Sequence, residues 1–170
     1  MTTVKPSYNA QSAKRPLVAD ALASGAWAMD TPFDNTDGTN GLLDEVQLGG
    51  SFMVLSGATL GANPVVTIYL APFAYNDGTN DHYVDNATGP AGTFTPPANP
   101  NSIPIAQVAI STAGVATPFG GIHLSGFGFG RLFSKFNLWI ANSTGAALAG
   151  SAGGQVSNFM YFLPGEYTAS

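Results

Sequence analysis

The apolar residues of this chain come in short runs, and glycine or proline closes most of them: 21 Gly and 12 Pro are spread over 170 residues. Runs of this length suit strands of about four to eight residues joined by turns, and leave no room for long helices. EVQLGGSFMVLS (45–56) and PVVTIYLAPF (64–73) are dominated by β-branched and aromatic residues, the types that pack well on a pleated surface. IPIAQVAIS (103–111), GGIHLSGF (120–127), SKFNLWIAN (134–142) and QVSNFMYFL (155–163) carry the same signal. Within SKFNLWIAN, Phe136, Leu138 and Ile140 alternate with the polar Lys135 and Asn137, followed by Asn142, which predicts one face turned inward. The Gly57 to Asn63 segment is a connection of hairpin length. About six to eight strands with little helix predict an all-β fold, a β-sandwich or jelly roll.

Hydrophobic residues reach 45%, and a chain of this size buries roughly two thirds of the surface its unfolded form exposes, so a packed core is expected. Charged residues are only 9% against about 25% in ordinary domains; the surface is built from Ser, Thr, Asn, Gln and Gly instead. The few charges are segregated. Lys5, Lys14 and Arg15 lead the chain, Arg131 and Lys135 are the only other basic residues, and the stretch between holds nine of the ten acidic ones, from Asp20 to Asp85. An acidic body repels phosphate and offers few counterion-releasing contacts, which argues against nucleic acid as the ligand. No apolar stretch approaches the ~20 residues of a membrane helix, no export signal is visible at the N-terminus, and the lack of cysteine removes disulfides, thiol nucleophiles and cysteine-ligated metals.

Residues 1–25 combine polar residues, two prolines and three basic charges without strand periodicity. They are expected to form an extended N-terminal arm, with 26–170 as a single β-sandwich domain. Lys5, Lys14 and Arg15 would then steer the arm onto acidic groups while Tyr8, Leu17, Val18 and Leu22 supply burial. The arm is expected to leave the sandwich and lie against a neighbouring subunit; folding onto its own acidic body is the competing outcome, and a terminus without a fixed place is the bland alternative. A second long segment, Tyr75 to Ser102, is rich in Asn, Asp, Gly and Pro. It is expected to be a surface excursion that contacts a partner, through Tyr75, Asp77, His82 and Tyr83.

PFDNTDGTN (32–40) and PFAYNDGTN (72–80) echo each other, but their flanks do not match, so they read as two independent Asp-Gly turns rather than a repeat unit. Their carboxylates invite a calcium reading. Aligning Gly38 with the glycine of an EF-hand loop puts Phe33 in place of the first carboxylate, and Phe73 likewise in the second turn, so no bound metal is expected. Asp81, His82 and Asp85 supply too few ligands for a zinc or iron site. His123 reads as a strand residue. No G-x-S-x-G elbow is present, and the glycines of FGGIHLSGFGFGRLF (119–133) are followed by strand signals, where a phosphate loop needs a helix start. Those glycines read instead as places of close approach for rings or backbone, with Phe127, Phe129 and Phe133 as core. No catalytic function and no cofactor are expected.

GGSFMVL (49–55), VTIYLAPFAYNDGTNDHY (66–83), TPPANP (95–100) and SKFNLWIANSTGAALAGSAG (134–153) together resemble a family of small bacteriophage virion-associated β-proteins. That family has a GSF-type opening strand, a strand running into a DGTNY-type turn, a Pro-rich loop and a KFxLxNxTGxALA-type late strand. The resemblance spans about two thirds of the chain, from Asp44 to Leu163. It implies a virion structural role as a capsid decoration or cement protein, made in the host cytoplasm and bound to the major capsid protein on the particle exterior. It brings no catalytic residues. Three-fold sites on an icosahedral shell and the rule of closed symmetry favour a homotrimer. The alternative is a glycan- or receptor-binding module of a head or tail fibre, using Tyr75, Tyr83, Trp27 or Trp139. Flat apolar patches would mark the first, and a shallow aromatic-lined groove the second.

Overall fold

The computed structural model describes residues 4–8, 15–16, 20–30, 32–34, 45–87, 95–128, 132–150 and 158–169, with side chains described for those between 20 and 163. The chain is all-β. Its strands are β1 (Val4–Tyr8), β2 (Arg15–Pro16), β3 (Trp27–Met29), β4 (Phe33–Asp34), β5 (Glu45–Phe52), β6 (Val65–Asn76), β7 (Asp81–Tyr83), β8 (Ile103–Ala109), β9 (Thr117–His123), β10 (Lys135–Ser143) and β11 (Phe159–Ala169). Two antiparallel sheets form. The first has the order β1-β11-β5-β9, with β2 continuing the β1 lane along β11; the second has β3-β10-β6-β7, with β4 extending the β3 lane and β8 the β7 lane.

The pairings nest. β6 joins β8, β5 joins β9, β3 and β4 join β10, and β1 and β2 join β11. One long hairpin is thus rolled over on itself, and the pairs β5–β11 and β6–β10 stitch the roll into two sheets. This is jelly-roll topology. The hairpin-length connection at 57–63 accordingly does not close a hairpin; it carries the chain from the first sheet to the second.

The core lies between the sheets. Val46, Leu48 and Phe52 of β5 with Met160 and Phe162 of β11 meet Val66, Ile68 and Leu70 of β6 and Phe136, Leu138 and Ile140 of β10, all nearly or fully buried. Phe33 stacks on Phe136 at 4.8 Å between ring centres, and Phe162 meets both edge-on at 5.5 and 6.1 Å. The inward face expected for β10 is therefore present. Its opposite face, expected in solvent, is buried too at Asn137, while Asn142 continues the inward face of Phe136, Leu138 and Ile140; neither has exposed surface. Asn137 donates to the Ala87 carbonyl, and Asn142 donates to the carbonyls of Leu22 and Ala146 and accepts from Thr144. These asparagines sit inside because each finds backbone partners there.

The N-terminal segment is extended where it is described. Val4–Tyr8 and Arg15–Pro16 pair with β11 of the same chain, the competing outcome and not the reach onto a neighbouring subunit that was expected. Leu22 likewise packs on its own core, and its carbonyl accepts from the Leu148 amide. The strand expected over 120–127 ends at His123, where Leu124–Gly128 forms a 3-10 turn. None of the described helical segments is long and apolar enough to cross a membrane.

Candidate functional site

The expected excursion from Tyr75 onward begins as strand. β6 continues through Tyr75 to Asn76 and turns back as β7, with Asn76 to Asn80 as the turn. Gly78 takes φ 94°, which only glycine adopts freely. The Asn76 Oδ1 accepts from the Gly78 amide at 2.6 Å, and Asp77 Oδ1 accepts from the amides of Thr79 and Asn80 at 2.8 and 2.7 Å. These are side-chain turn locks. The other Asp77 oxygen accepts from His82 Nε2 at 2.9 Å, and the His82 ring stacks on Tyr75 at 4.5 Å. The hydrogen bond from His82, with those from Asn80 and Thr79, holds the Asp77 carboxyl well below the usual carboxylate range. Three of the four loop residues singled out in the sequence therefore form one exposed cluster.

Tyr83 does not join them. It is 5% exposed and packs with Met29, Ala71, Ala87 and Trp139 on the outer face of the second sheet. Burial pushes its phenol up. Trp139 is 2% exposed, stacked on Tyr69 at 3.9 Å. Both are unsuited to an open glycan groove.

The segment after β7 is tied down over that face. Asp85, at φ 61°, accepts from the Ser102 amide at 2.6 Å and hydroxyl at 2.7 Å, and from the Asn101 amide at 3.0 Å. Burial pushes its carboxyl up, and these hydrogen bonds outweigh that and leave it lowered. The expected excursion thus has its two ends clipped together, and its first residues cover this molecule's own sheet.

Lys135 joins three strands. Its Nζ donates to Asp81 at 2.6 Å and pairs with Asp34 at 3.0 Å, and these bonds raise its pKa while lowering that of Asp81. At the start of β5, the 2%-exposed Glu45 accepts from the amide and hydroxyl of Ser125 and from His123 Nδ1 at 3.3 Å. The serine donates to the carboxylate and not to the imidazole, so it lacks the base that a serine nucleophile needs; the trio fastens the 3-10 turn to β5. Among the described residues, no three His, Asp or Glu gather as metal ligands.

The first sheet presents a different surface. Met160 and Phe162 point into the core, so alternation turns Phe159, Tyr161 and Leu163 of β11 outward, where each remains partly exposed. Tyr161 lies across Gly49 of β5, where a Cβ would collide with its ring, and reaches Gly120 of β9. The result is an outward row of partly exposed side chains, with Tyr161 seated over glycine. The sequence signal was available in FMYFL (159–163), whose residues are apolar or aromatic on both faces.

No protein-family model, curated protein or solved structure matches the chain.

Of the remaining sequence-derived positions, Lys5, Tyr8 and Arg15 lie in paired backbone without described side chains, while Lys14, Leu17 and Val18 lie outside the described residues. So do Asp37, Asp44 and Phe129. Phe127 and Phe133 pack against the core as expected. The close approach expected of the glycines at 120–130 occurs chiefly at Gly49 and Gly50 of β5.

Proposed function

We propose that this chain is a non-catalytic structural protein of a virus particle, a capsid decoration protein that docks on the major capsid protein and stabilises the head. The observation that carries the reading is the outward row Phe159, Tyr161 and Leu163 over Gly49 and Gly120. Partly exposed apolar side chains in a row suit contact with another protein surface, and a core of apolar contacts ringed by small polar residues is how protein interfaces are built. The motifs that resemble virion-associated β-proteins support it, since they fall on β5, β6 with its Asn76–Asn80 turn, and β10, the central lanes of a jelly roll. Jelly rolls serve in capsids and in lectins alike, so the surface decides.

The test is co-sedimentation with particles stripped of the protein. Leu163→Asp and Tyr161→Asp chains that retain their β-rich circular dichroism should lose attachment by at least about tenfold, since a desolvated unpaired carboxylate costs more than ~1.4 kcal/mol. Undiminished attachment of both would remove this face from the interface.

A glycan-binding reading retains one specific support. Tyr75 is 55% exposed and is backed by His82, a ring platform of the kind on which a sugar can stack. Binding to a glycan array abolished by Tyr75→Ala would favour it.

A further inference from the structure

Between Asp85 and Arg131 the sequence contains no Asp, Glu, Lys or Arg. The fold places β8 and β9, the two seven-residue strands of this stretch, at sheet edges on the same side of the sandwich. β8 borders the second sheet through its pairing with β6, and β9 borders the first through its pairing with β5. Elsewhere the edges are short or charged: β1 holds Lys5, β2 Arg15, β4 Asp34 and β7 Asp81, while β3 is only three residues long. An edge strand carries a row of unpaired backbone donors and acceptors, and soluble proteins ordinarily guard it with charge. Among the described strands, the two longest edges carry no such charge.

Between these edges the sandwich is open. A cleft of about 380 Å³ is lined by Ala106, Val108, Thr117, Phe119 and Ile122 among others. Phe119 and Ile122 are only half-buried, although they pack on the core, with Phe119 stacked on Phe52 at 5.1 Å. Each edge has one proline, Pro104 near the start of β8 and Pro118 near the start of β9. Proline removes a donor, so pairing is confined to the proline-free halves, Ile105–Ala109 and Phe119–His123, of which 106–109, 119, 120 and 122 line the cleft.

We infer that the β8–β9 side is where two copies of this chain meet, by edge-strand pairing that also covers the cleft. The electrostatics choose the occupant. A strand laid here is desolvated against uncharged residues, so a charged strand would be rejected, and the second copy offers the required uncharged, proline-limited strand from its own β8 or β9. The only ionisable group on either edge, His123, sits at the end of β9 and is engaged by Glu45 of its own chain. This goes beyond the reading above and names a surface on which the homo-oligomer expected from the sequence closes. The capsid-facing row on β11 is separate from it.

Gln107 and Ala109 are exposed on β8, and a lysine at each would guard the edge without entering the core. Light scattering during size-exclusion chromatography should show the full-length protein as an oligomer. The Gln107→Lys/Ala109→Lys chain should dissociate at concentrations at least tenfold higher than the wild type requires, while an Asn63→Lys/Thr79→Lys chain, with the same added charge on exposed turns, should remain assembled. Hydrogen exchange on the wild-type protein gives a second readout that needs no variant: amides of 105–109 and 119–123 should gain protection between dilute and concentrated samples. A wild-type chain that is monomeric at every concentration, an edge variant as assembled as its control, or exchange at these strands independent of concentration would overturn the inference. Co-sedimentation with stripped particles, measured on the same variants, reports separately on the capsid reading.

Discussion

At the scale of single residues, the glycines of β5 show how the first sheet achieves its packing. A Cβ at Gly50 would meet the Phe159 carbonyl and lie 2.8 Å from the Phe119 ring, and neither the backbone nor a ring stacked on Phe52 can give way. Gly50→Ala should therefore lower stability by about 1–3 kcal/mol, read from chemical denaturation. Gly49→Ala should cost less, because it meets the outer end of the Tyr161 side chain, which can swing aside. Asp85 illustrates a polar counterpart. Removing its carboxylate leaves the amide and hydroxyl of Ser102, a residue 2% exposed, without their acceptor, so Asp85→Ala should cost about 1–3 kcal/mol, and exchange at Ser102 should rise. The sequence did not disclose this role, because the partner stands many residues away and composition shows only another loop aspartate. Asn137 and Tyr83 were misread for the same reason: alternation assigns a face, and it does not say which faces are covered by a returning segment.

At the scale of elements, the β6–β7 hairpin and β11 make opposed predictions. The hairpin is held by charge. Asp77 and Asp81 have carboxyls lowered in the folded state, so their contribution is complete above the unfolded value of about 3.9 and is lost as pH falls below it. Lys135 is raised, so its contribution is complete below about 10.4 and is lost as pH rises past that. The melting temperature should accordingly be flat between about pH 5 and 9, and fall on either side. Asp77→Asn with Asp81→Asn should flatten the acid limb, and an unchanged acid limb would remove these residues from its cause. β11 is held by burial. Phe162→Ala, in the core against Phe33 and Phe136, should cost about 3–5 kcal/mol, whereas truncating the outward Leu163 to Ser should cost far less and affect attachment instead. The strands themselves were largely legible, since β-branched and aromatic runs bounded by Gly and Pro fix where an extended segment can lie. Their ends were less so: β9 stops at His123 because Glu45 captures Ser125 just beyond, a contact across many residues of sequence.

At the scale of the whole molecule, β-rich composition and short runs were enough to narrow the architecture to a sandwich or jelly roll. Which strand pairs with which was not readable. Nested pairing joins the first strands to the last, and no local signal in 4–8 points to 165–169; the shared hydrophobic core selects it once both sheets form. The charge split was legible, and it led to an arm reaching outward, whereas the backbone of 4–8 and 15–16 lies along its own β11. The outward row of β11 on that first sheet carries the functional proposal. Electron cryomicroscopy of virus particles assembled in the presence of this chain tests it most directly. The account predicts jelly-roll density on the exterior of the head, with Phe159, Tyr161 and Leu163 turned against the capsid protein. Density only on a fibre, with Tyr75 at a free tip, or no such density on the particle, would contradict it.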